Sequence, residues 1–196
     1  MQRPKLTFPD DVAKYVTEAY ERHDSILEYG SGGSTVLASE LEGKHVVSVE
    51  SDARWTLDMQ AYLEGSPKTR SKPRLIPVNV GPTGPWGRPL DHSHYHLFPW
   101  YALSPWVSRS QNDPDFSLVL VDGRFRTACF LISMAFARGP LEIIFDDYKE
   151  REFYHFIEEY AKPVRFIGRA AVFERDPSLD WGAIAYRHTA AFYDDN

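Results

Sequence analysis

The sequence predicts an α/β protein, a three-layer sandwich in which helices cover both faces of a mostly parallel β-sheet. Short apolar runs rich in β-branched residues alternate with longer stretches whose apolar residues recur at helical spacing. One run, 116–122, is apolar almost throughout, as is typical of a strand covered on both faces. A chain of 196 residues has room for one good core, so we predict a single domain over residues 1–196.

The first half of the chain is predicted to start with an amphipathic helix and then to alternate strand and helix. Val12, Val16 and Ala19 fall on one face of the leading helix. Ser34 is suited to begin the second helix as its N-cap, and Gly43 to end it. The predicted elements are helix 8–24, strand 25–30, helix 34–41, strand 45–50, helix 52–64 and strand 74–80.

The second half of the chain continues the alternation after a long connection. The predicted elements are strand 116–122, helix 126–138, strand 141–147, helix 150–161 and two late strands, one within 164–176 and one at 182–188. The connection between the two late strands is too short for a crossover helix. We therefore expect the last strand to run antiparallel to its neighbour.

The long connection, residues 81–115, is crowded with Pro, Gly, Trp and His. Connections of this length in a compact domain are usually functional or disordered, and the many aromatic residues favour a packed loop or lid. Its large aromatic side chains are predicted to line a substrate pocket or its lid; they are Trp86, Trp100, Tyr101 and Trp106.

The composition limits the kinds of partner that the protein can have. A net charge of -6 and a pI near 5.6 argue against a broad nucleic-acid-binding face, so a small molecule is the expected ligand. The single cysteine, Cys129, excludes an internal disulfide and a multi-cysteine zinc site. No apolar run has the length of a signal peptide or a membrane span, so we expect a cytoplasmic protein without a membrane partner. Association into a homodimer is left open.

A glycine-rich turn follows the first predicted strand, in the stretch SILEYGSGGST at 25–35. Gly30, Gly32 and Gly33 allow a tight strand-to-helix turn and the close approach of a ligand to the backbone. The helix N-terminus that follows favours an anionic group. A dinucleotide fingerprint would need a further glycine where this chain has Thr35.

Glu28 precedes Gly30 by two residues, and this arrangement resembles the first motif of class I S-adenosylmethionine-dependent methyltransferases, an acidic residue followed by x-G-x-G-x-G. The chain departs from that motif at Ser34, where the family has its final glycine. The resemblance covers nearly the whole chain. It implies a Rossmann-like, seven-stranded sheet whose last strand is antiparallel.

The resemblance also implies a set of cofactor-binding residues. Glu50, at the end of the second strand and about 20 residues past the glycines, matches the acid that holds the ribose hydroxyls. Asn79 matches the region that borders adenine. The full set implied to bind S-adenosylmethionine is Glu28, Gly30, Ser31, Gly32, Glu50, Ser51 and Asn79. The alternative is architectural: a tight turn, and an acid that only begins a helix.

Three aspartates, Asp122, Asp146 and Asp147, follow the fourth and fifth predicted parallel strands. Parallel strands end on one rim of a sheet, so these carboxylates should converge on the rim that carries the glycine turn. They resemble the magnesium ligands of metal-dependent O-methyltransferases. We therefore expect Mg²⁺ at these three residues, with Asp122 and Asp146 also catalytic. Alternatively, they cap turns and helices.

The resulting functional hypothesis is a methyltransferase that acts on a small molecule, at a hydroxyl oxygen. The alternative is a non-catalytic protein of the same fold that binds S-adenosylmethionine or a nucleoside, and a nicotinamide oxidoreductase is a third class. The alternately placed His92, His94 and His96 could bind a metal or act as a base, or could be polar loop residues. Arg124 and Arg126 could pair with Asp122 or meet an anionic substrate.

Overall fold

The computed structural model describes residues 2–196, and a seven-stranded sheet forms its middle layer. The strands are β1 Ser25–Tyr29, β2 His45–Glu50, β3 Arg74–Pro77, β4 Leu118–Val121, β5 Glu142–Phe145, β6 Arg165–Ile167 and β7 Ala170–Glu174. The α-helices are α1 Asp10–Arg22, α2 Gly33–Glu40, α3 Ala53–Gly65, α4 Pro99–Val107, α5 Arg126–Phe136 and α6 Trp181–Arg187. Short 3-10 helices lie at Pro85–Gly87, Tyr95–Leu97, Glu152–Glu159 and Thr189–Tyr193.

The strand order is β3-β2-β1-β4-β5-β7-β6. The strands from β3 to β5 are parallel, and β7 is antiparallel to both of its neighbours. This is the Rossmann-like sheet that the sequence predicts. The order reverses between β1 and β4, and ligands of open α/β sheets bind outside the carboxyl ends of the strands at such a point.

The two faces of the sheet bury different sets of side chains because successive strand residues point to opposite faces. Ile26 of β1 and Leu118 of β4 face the apolar side of α1, whereas Tyr29 and Val121 face the cluster that contains α4, α5 and α6. The central strands therefore read as continuous apolar runs, and their ends are held at one level for a binding site.

The predicted late strand at 182–188 is wrong: this segment lies in helix α6, followed by its C-cap. The Asp180 carboxylate accepts a hydrogen bond from the N–H of Ala183 at 3.0 Å and begins the helix. Ile184 and Ala185 are buried in the same cluster as α5. Both late strands come from the stretch 164–176, as a hairpin that turns at Gly168, where φ is +53°.

The connection 81–115, predicted to be a packed loop or lid, contains a core helix, α4. Pro99 occupies the first turn, where its missing N–H costs nothing. Trp106 is buried and donates from Nε1 to the Tyr29 hydroxyl at 2.9 Å, whereas Trp100 is half exposed. The prolines that made this segment resemble a loop mark the start and the last turn of a helix.

Among residues 2–196, every helix falls short of the length and apolar character that crossing a membrane requires.

Candidate functional site

A cavity of about 740 Å³ opens at the carboxyl ends of the parallel strands, beside the point where the strand order reverses. This volume is in the range of small-molecule sites, roughly 300–1,000 Å³. Of the predicted cofactor-binding residues, four line it: Gly30, Ser31, Gly32 and Glu50. Asp122 and Asp147 also line it. The cavity therefore contains the glycine turn and two of the three predicted strand-end aspartates.

The glycine turn leads from β1 directly into α2. Gly30 has a φ of +99°, and a Cβ there would lie 3.0 Å from the backbone of Gly123 at the end of β4. The helix begins at Gly33, with Gly32 in the N-cap position, so the predicted cap at Ser34 is displaced by two residues. The Thr35 hydroxyl accepts from the Gly32 N–H at 3.0 Å and closes the turn.

Glu28 supports this turn from inside the protein and does not line the cavity. It is fully buried, and its carboxylate accepts hydrogen bonds from the Tyr20 and Thr35 hydroxyls, both at 2.6 Å. Burial raises the pKa of Glu28, and these hydrogen bonds oppose the rise. The predicted direct contact with a cofactor is therefore replaced by a structural role. Thr35, which broke the dinucleotide fingerprint, is the residue that links Glu28 to the turn.

Glu50 ends β2 and presents its carboxylate to the cavity. Its Oε2 accepts from the Ser31 N–H at 3.2 Å, and its Oε1 accepts from the Ser51 and Asp52 N–H groups at 2.7 and 2.9 Å. Burial raises the pKa of Glu50, opposed by these backbone hydrogen bonds. A carboxylate has about four acceptor positions, so Oε2 keeps acceptor capacity for a ligand hydroxyl.

Ser51 and Asn79, also predicted to bind the cofactor, do not line the cavity. The buried Ser51 hydroxyl donates to the Gly87 carbonyl at 2.7 Å. Gly87 has a φ of +68°, and a Cβ there would collide with Ser51 Oγ. Asn79 is exposed and accepts from the Gly81 N–H at 2.9 Å. Ser51 thus acts indirectly, by anchoring the Pro85–Gly87 turn beside Glu50.

Three further features form the cavity wall, and of these only Trp86 is predicted from the sequence. Trp55 lines the cavity and donates from Nε1 to the Ser31 carbonyl at 2.8 Å. Trp86 lines it with 81% of its surface exposed and with a φ of 62°. The segment 4–8 crosses the turn, so that a Cβ on Gly33 would collide with the backbone of Lys5. The tryptophans are visible in the sequence, but nothing local places segment 4–8 at the turn.

The three predicted metal-binding aspartates do converge on one rim, but arginines neutralise them. Arg169, in the β6–β7 hairpin, binds the fully buried Asp146 through two hydrogen bonds of 3.0 and 2.5 Å. Arg151 contacts Asp147 at 2.7 Å. Arg126 contacts Asp122 at 3.4 Å. Guanidinium groups therefore stand where a divalent cation was expected.

The predicted magnesium site at Asp122, Asp146 and Asp147 is consequently not supported. Among residues 2–196, no three His, Cys, Asp or Glu side chains are placed so that they could hold a metal ion. Mg²⁺ needs free carboxylate oxygens, and these oxygens already accept hydrogen bonds from cations that would repel it. This donor set does not fit the ion, and Asp146 does not reach the cavity.

Arg126 fixes the geometry of the rim. It is buried, and it donates to the carbonyls of Gly123, Asp146 and Asp122 at 3.0, 2.7 and 3.1 Å. These contacts join the end of β4 to the end of β5. The first residue of α5 therefore holds the backbone on which the aspartates are placed.

Asp122 is the aspartate best placed for chemistry. It lines the cavity and its side chain is 26% exposed. Burial, together with the neighbouring Asp146 and Asp147, raises the pKa of Asp122 to about 7, although Arg126 opposes the rise. A carboxylate with a pKa near neutrality can accept a proton and release it at physiological pH.

The remaining predicted aromatic and histidine residues differ in whether they line the cavity. Tyr101 lines the cavity, with its hydroxyl against Gly123, whereas Trp100 and Trp106 do not line it. The three histidines, His92, His94 and His96, also lie outside the cavity lining. His92 packs edge-on against Phe98, and His94 contacts the Ser93 hydroxyl at 2.8 Å. The histidines therefore serve as loop polar groups in this structure.

Solved structures resemble this chain both at high and at low sequence identity. No protein-family model matches the sequence, and no curated protein matches it. A crystal structure of a methyltransferase-like protein (spo2022) from Silicibacter pomeroyi is 38% identical, with a TM-score of 0.90, over 99% of this chain and 100% of that chain. The chain belongs to the class I S-adenosylmethionine-dependent methyltransferase family.

More distant methyltransferase structures share the fold. Rv0187 from MTB, in a cofactor-bound crystal structure, has a TM-score of 0.56 at 15% identity, over 88% of this chain and 82% of that chain. A methyltransferase from Geobacter sulfurreducens has a TM-score of 0.51 at 11% identity, over 87% and 80%. The class I methyltransferase architecture of this chain therefore persists where sequence similarity is low.

The cavity residues fit the cofactor of the class I methyltransferases. Glu50 offers a carboxylate oxygen with remaining acceptor capacity. Gly32 lines the cavity, and a Cβ there would meet nothing within 4 Å, so the backbone at this position is open. Gly33 and Ser34 line the cavity at the start of α2, where the first N–H groups of a helix have no partner inside it.

Proposed function

We propose that the protein transfers a methyl group from S-adenosylmethionine to a hydroxyl oxygen of a small molecule. The observation that carries the proposal is the position of Asp122. Its carboxyl group, with a pKa of about 7, lines the same cavity as the glycine turn and Glu50. An acid–base group and a cofactor-binding end thus share one cavity.

At the cofactor end, which is formed by the glycine turn and Glu50, complementary polar groups bind S-adenosylmethionine. The Glu50 carboxylate accepts hydrogen bonds from the ribose hydroxyls, and the backbone N–H groups of Ser31 and Ser51 hold that carboxylate in place. The N-terminus of α2 favours the carboxylate of the methionine moiety, because its free N–H groups and the helix dipole attract an anion.

The part of the cavity around Asp122, which we name the acceptor end, supplies a group that can take up a proton. S-adenosylmethionine, when bound, supplies an electrophilic methyl group on a sulfonium. Asp122 takes the proton of the acceptor hydroxyl as that oxygen forms its bond to the methyl carbon, and the electron pair of the broken S–C bond remains on sulfur. Asp122 must be ionised to do this, so the rate should rise with pH through the pKa of about 7.

The small-molecule class is supported by charge and by size. The net charge of -6 disfavours a polyanionic nucleic-acid substrate. The cavity of about 740 Å³ has the dimensions of a small-molecule site.

The test is methyl transfer from labelled S-adenosylmethionine to a panel of hydroxylated acceptors. Asp122→Asn should lower turnover by about 10²-fold or more, because it removes the general base, while the affinity for adenosylhomocysteine stays within about two-fold. Asp115→Asn, at an exposed aspartate before β4, is the matched control. Adenosylhomocysteine binding without transfer to any acceptor would instead support the non-catalytic, cofactor-binding alternative.

A further inference from the structure

The acceptor end of the cavity is rich in arginine, although the whole chain is acidic. The arginines that line it are Arg124, Arg126, Arg151 and Arg169. The last three are committed to the strand-end aspartates, through contacts of 3.4 Å or less. Their charges are therefore balanced within the protein, which leaves Arg124 to be explained.

Arg124 is a half-buried cation without a carboxylate partner among residues 2–196. Its only hydrogen bond from the guanidinium group to this part of the chain is a long one of 3.5 Å, from Nη1 to the Asp195 carbonyl. Its Nε is buried without a protein partner. Burial and the nearby Arg126 lower the pKa of Arg124. All these observations describe a guanidinium that lacks its anion.

A carboxylate is the ligand that best satisfies such a group. The Nε–Nη edge of a guanidinium forms two parallel hydrogen bonds to the two oxygens of a carboxylate. A buried N–H donor without a partner costs free energy, so the protein alone does not satisfy the Arg124 guanidinium. The anion would lie near Asp122, because Arg124 follows it by two residues on the same strand end.

The cofactor's own carboxylate has a better place elsewhere. The glycine turn and the start of α2 line the cavity and offer free N–H groups, with Lys5 beside them. Arg124 instead follows β4, on the rim that carries Asp122. The two anion-binding features therefore come from different elements, the start of α2 and the end of β4.

We propose that the methyl acceptor is a hydroxylated carboxylic acid, whose carboxylate binds Arg124 while its hydroxyl faces Asp122. This inference rests on the proposed function and specifies its substrate class. It also accounts for the one arginine in the cavity lining that has no carboxylate partner among residues 2–196.

The test is calorimetric titration of the adenosylhomocysteine-saturated protein with matched acid and neutral compounds. The pairs are 4-hydroxybenzoate with phenol and 3-hydroxybutyrate with 2-butanol. At least one acid should bind about ten-fold or more tightly than its neutral partner, as expected for a charge-assisted hydrogen-bonded pair. If no acid binds more tightly than its partner, including when none binds, the inference is overturned.

Substitutions at Arg124 test whether this residue causes the preference for the acid. Arg124→Gln should abolish the preference for the acid, and Arg124→Lys should retain part of it, because it keeps the charge but loses the planar fork. Arg88→Gln is the matched control, since Arg88 also contacts Asp195 but does not line the cavity; it should keep the full preference. Melting curves verify that each variant is folded.

Two further outcomes would overturn the inference. Arg124→Gln could retain the acid preference, or it could weaken adenosylhomocysteine binding instead, in which case Arg124 holds the cofactor carboxylate. The proposed function is tested separately, by methyl transfer. If neutral hydroxyl compounds are methylated as well as acids, the substrate class fails and the methyltransferase proposal stands.

Discussion

The carboxylate of Glu50 accepts a hydrogen bond from the backbone N–H of Ser31 at 3.2 Å. This contact joins the end of β2 to the glycine turn after β1, two segments that are 19 residues apart. The same carboxylate accepts the Ser51 and Asp52 N–H groups. Glu50 is therefore held in one orientation by the backbone on both sides, so it loses little freedom when a ligand binds.

Gly33 is required by the segment that crosses it. A Cβ there would collide with the backbone of Lys5, whereas a Cβ on Gly32 would meet nothing within 4 Å. We expect Gly33→Ala to lower the free energy of unfolding by about 1–3 kcal/mol, as overpacking does. Gly32→Ala is the control and should leave it within about 0.5 kcal/mol. Urea titration of both variants without ligand checks this, and equal losses would show that segment 4–8 does not press on the turn.

Trp86 is predicted to cover the bound nucleoside. It lines the cavity next to Gly87 and yet is 81% exposed, so it contributes little to the core. Trp86→Ala should weaken adenosylhomocysteine binding about ten-fold, through lost aromatic contact, with little change in melting temperature. Trp100→Ala, at a half-exposed tryptophan outside the cavity lining, should bind normally. Calorimetry compares the two, and unchanged binding by Trp86→Ala would refute this role.

The raised pKa of Asp122 predicts a pH dependence of stability. In the folded protein the pKa is about 7, against an ordinary value of 3.8, so between these pH values the folded state binds the proton more tightly than the unfolded state. The free energy of unfolding should therefore fall as pH rises from about 4 to about 7, by at most about 1.4 kcal/mol per pH unit. Asp122→Asn removes this contribution. The difference between the two unfolding curves isolates it, and a constant difference across this range would contradict the raised pKa.

Arg169, and not magnesium, is predicted to neutralise the charge of the buried Asp146 carboxylate. Arg169→Met leaves the buried Asp146 carboxylate without its cation and should lower the free energy of unfolding by about 2–4 kcal/mol. Added Mg²⁺ should not change the melting temperature of the wild-type protein. Arg187→Met, at an exposed position on α6, is the control. A magnesium-dependent rise in melting temperature that Asp146→Asn abolishes would restore the metal site.

The sheet could be predicted because its strands are short apolar runs bounded by polar residues. Strand β2 has the predicted bounds, 45–50. The segment 182–188 was assigned as a strand because a seven-residue helix shows too little periodicity to distinguish the two. Helix α4 could not be predicted because it contains two prolines, and prolines in a sequence usually indicate a loop.

The candidate site could be predicted where its residues lie at the ends of neighbouring strands. The glycines and Glu50 occupy adjacent strand ends, so spacing alone brings them together. The aspartates are equally visible, but their arginine partners are not: Arg151 and Arg169 come from separate elements, and only the tertiary fold sets them against Asp147 and Asp146. For this reason the sequence alone could not show that arginines contact the aspartates predicted to bind magnesium.

The cofactor site is tested most directly by calorimetric titration of the wild-type protein and Glu50→Gln with adenosylhomocysteine and with NAD. Wild-type protein should bind adenosylhomocysteine and not NAD. Glu50→Gln should lose about ten- to a hundred-fold in affinity, because its amide replaces one acceptor oxygen with an NH₂ donor, and the carboxylate accepts N–H groups through both oxygens. Glu64→Gln, at an exposed glutamate of α3, should bind like the wild type. Binding of NAD without adenosylhomocysteine, or equal affinity in Glu50→Gln, would contradict a methyltransferase cofactor site at this turn.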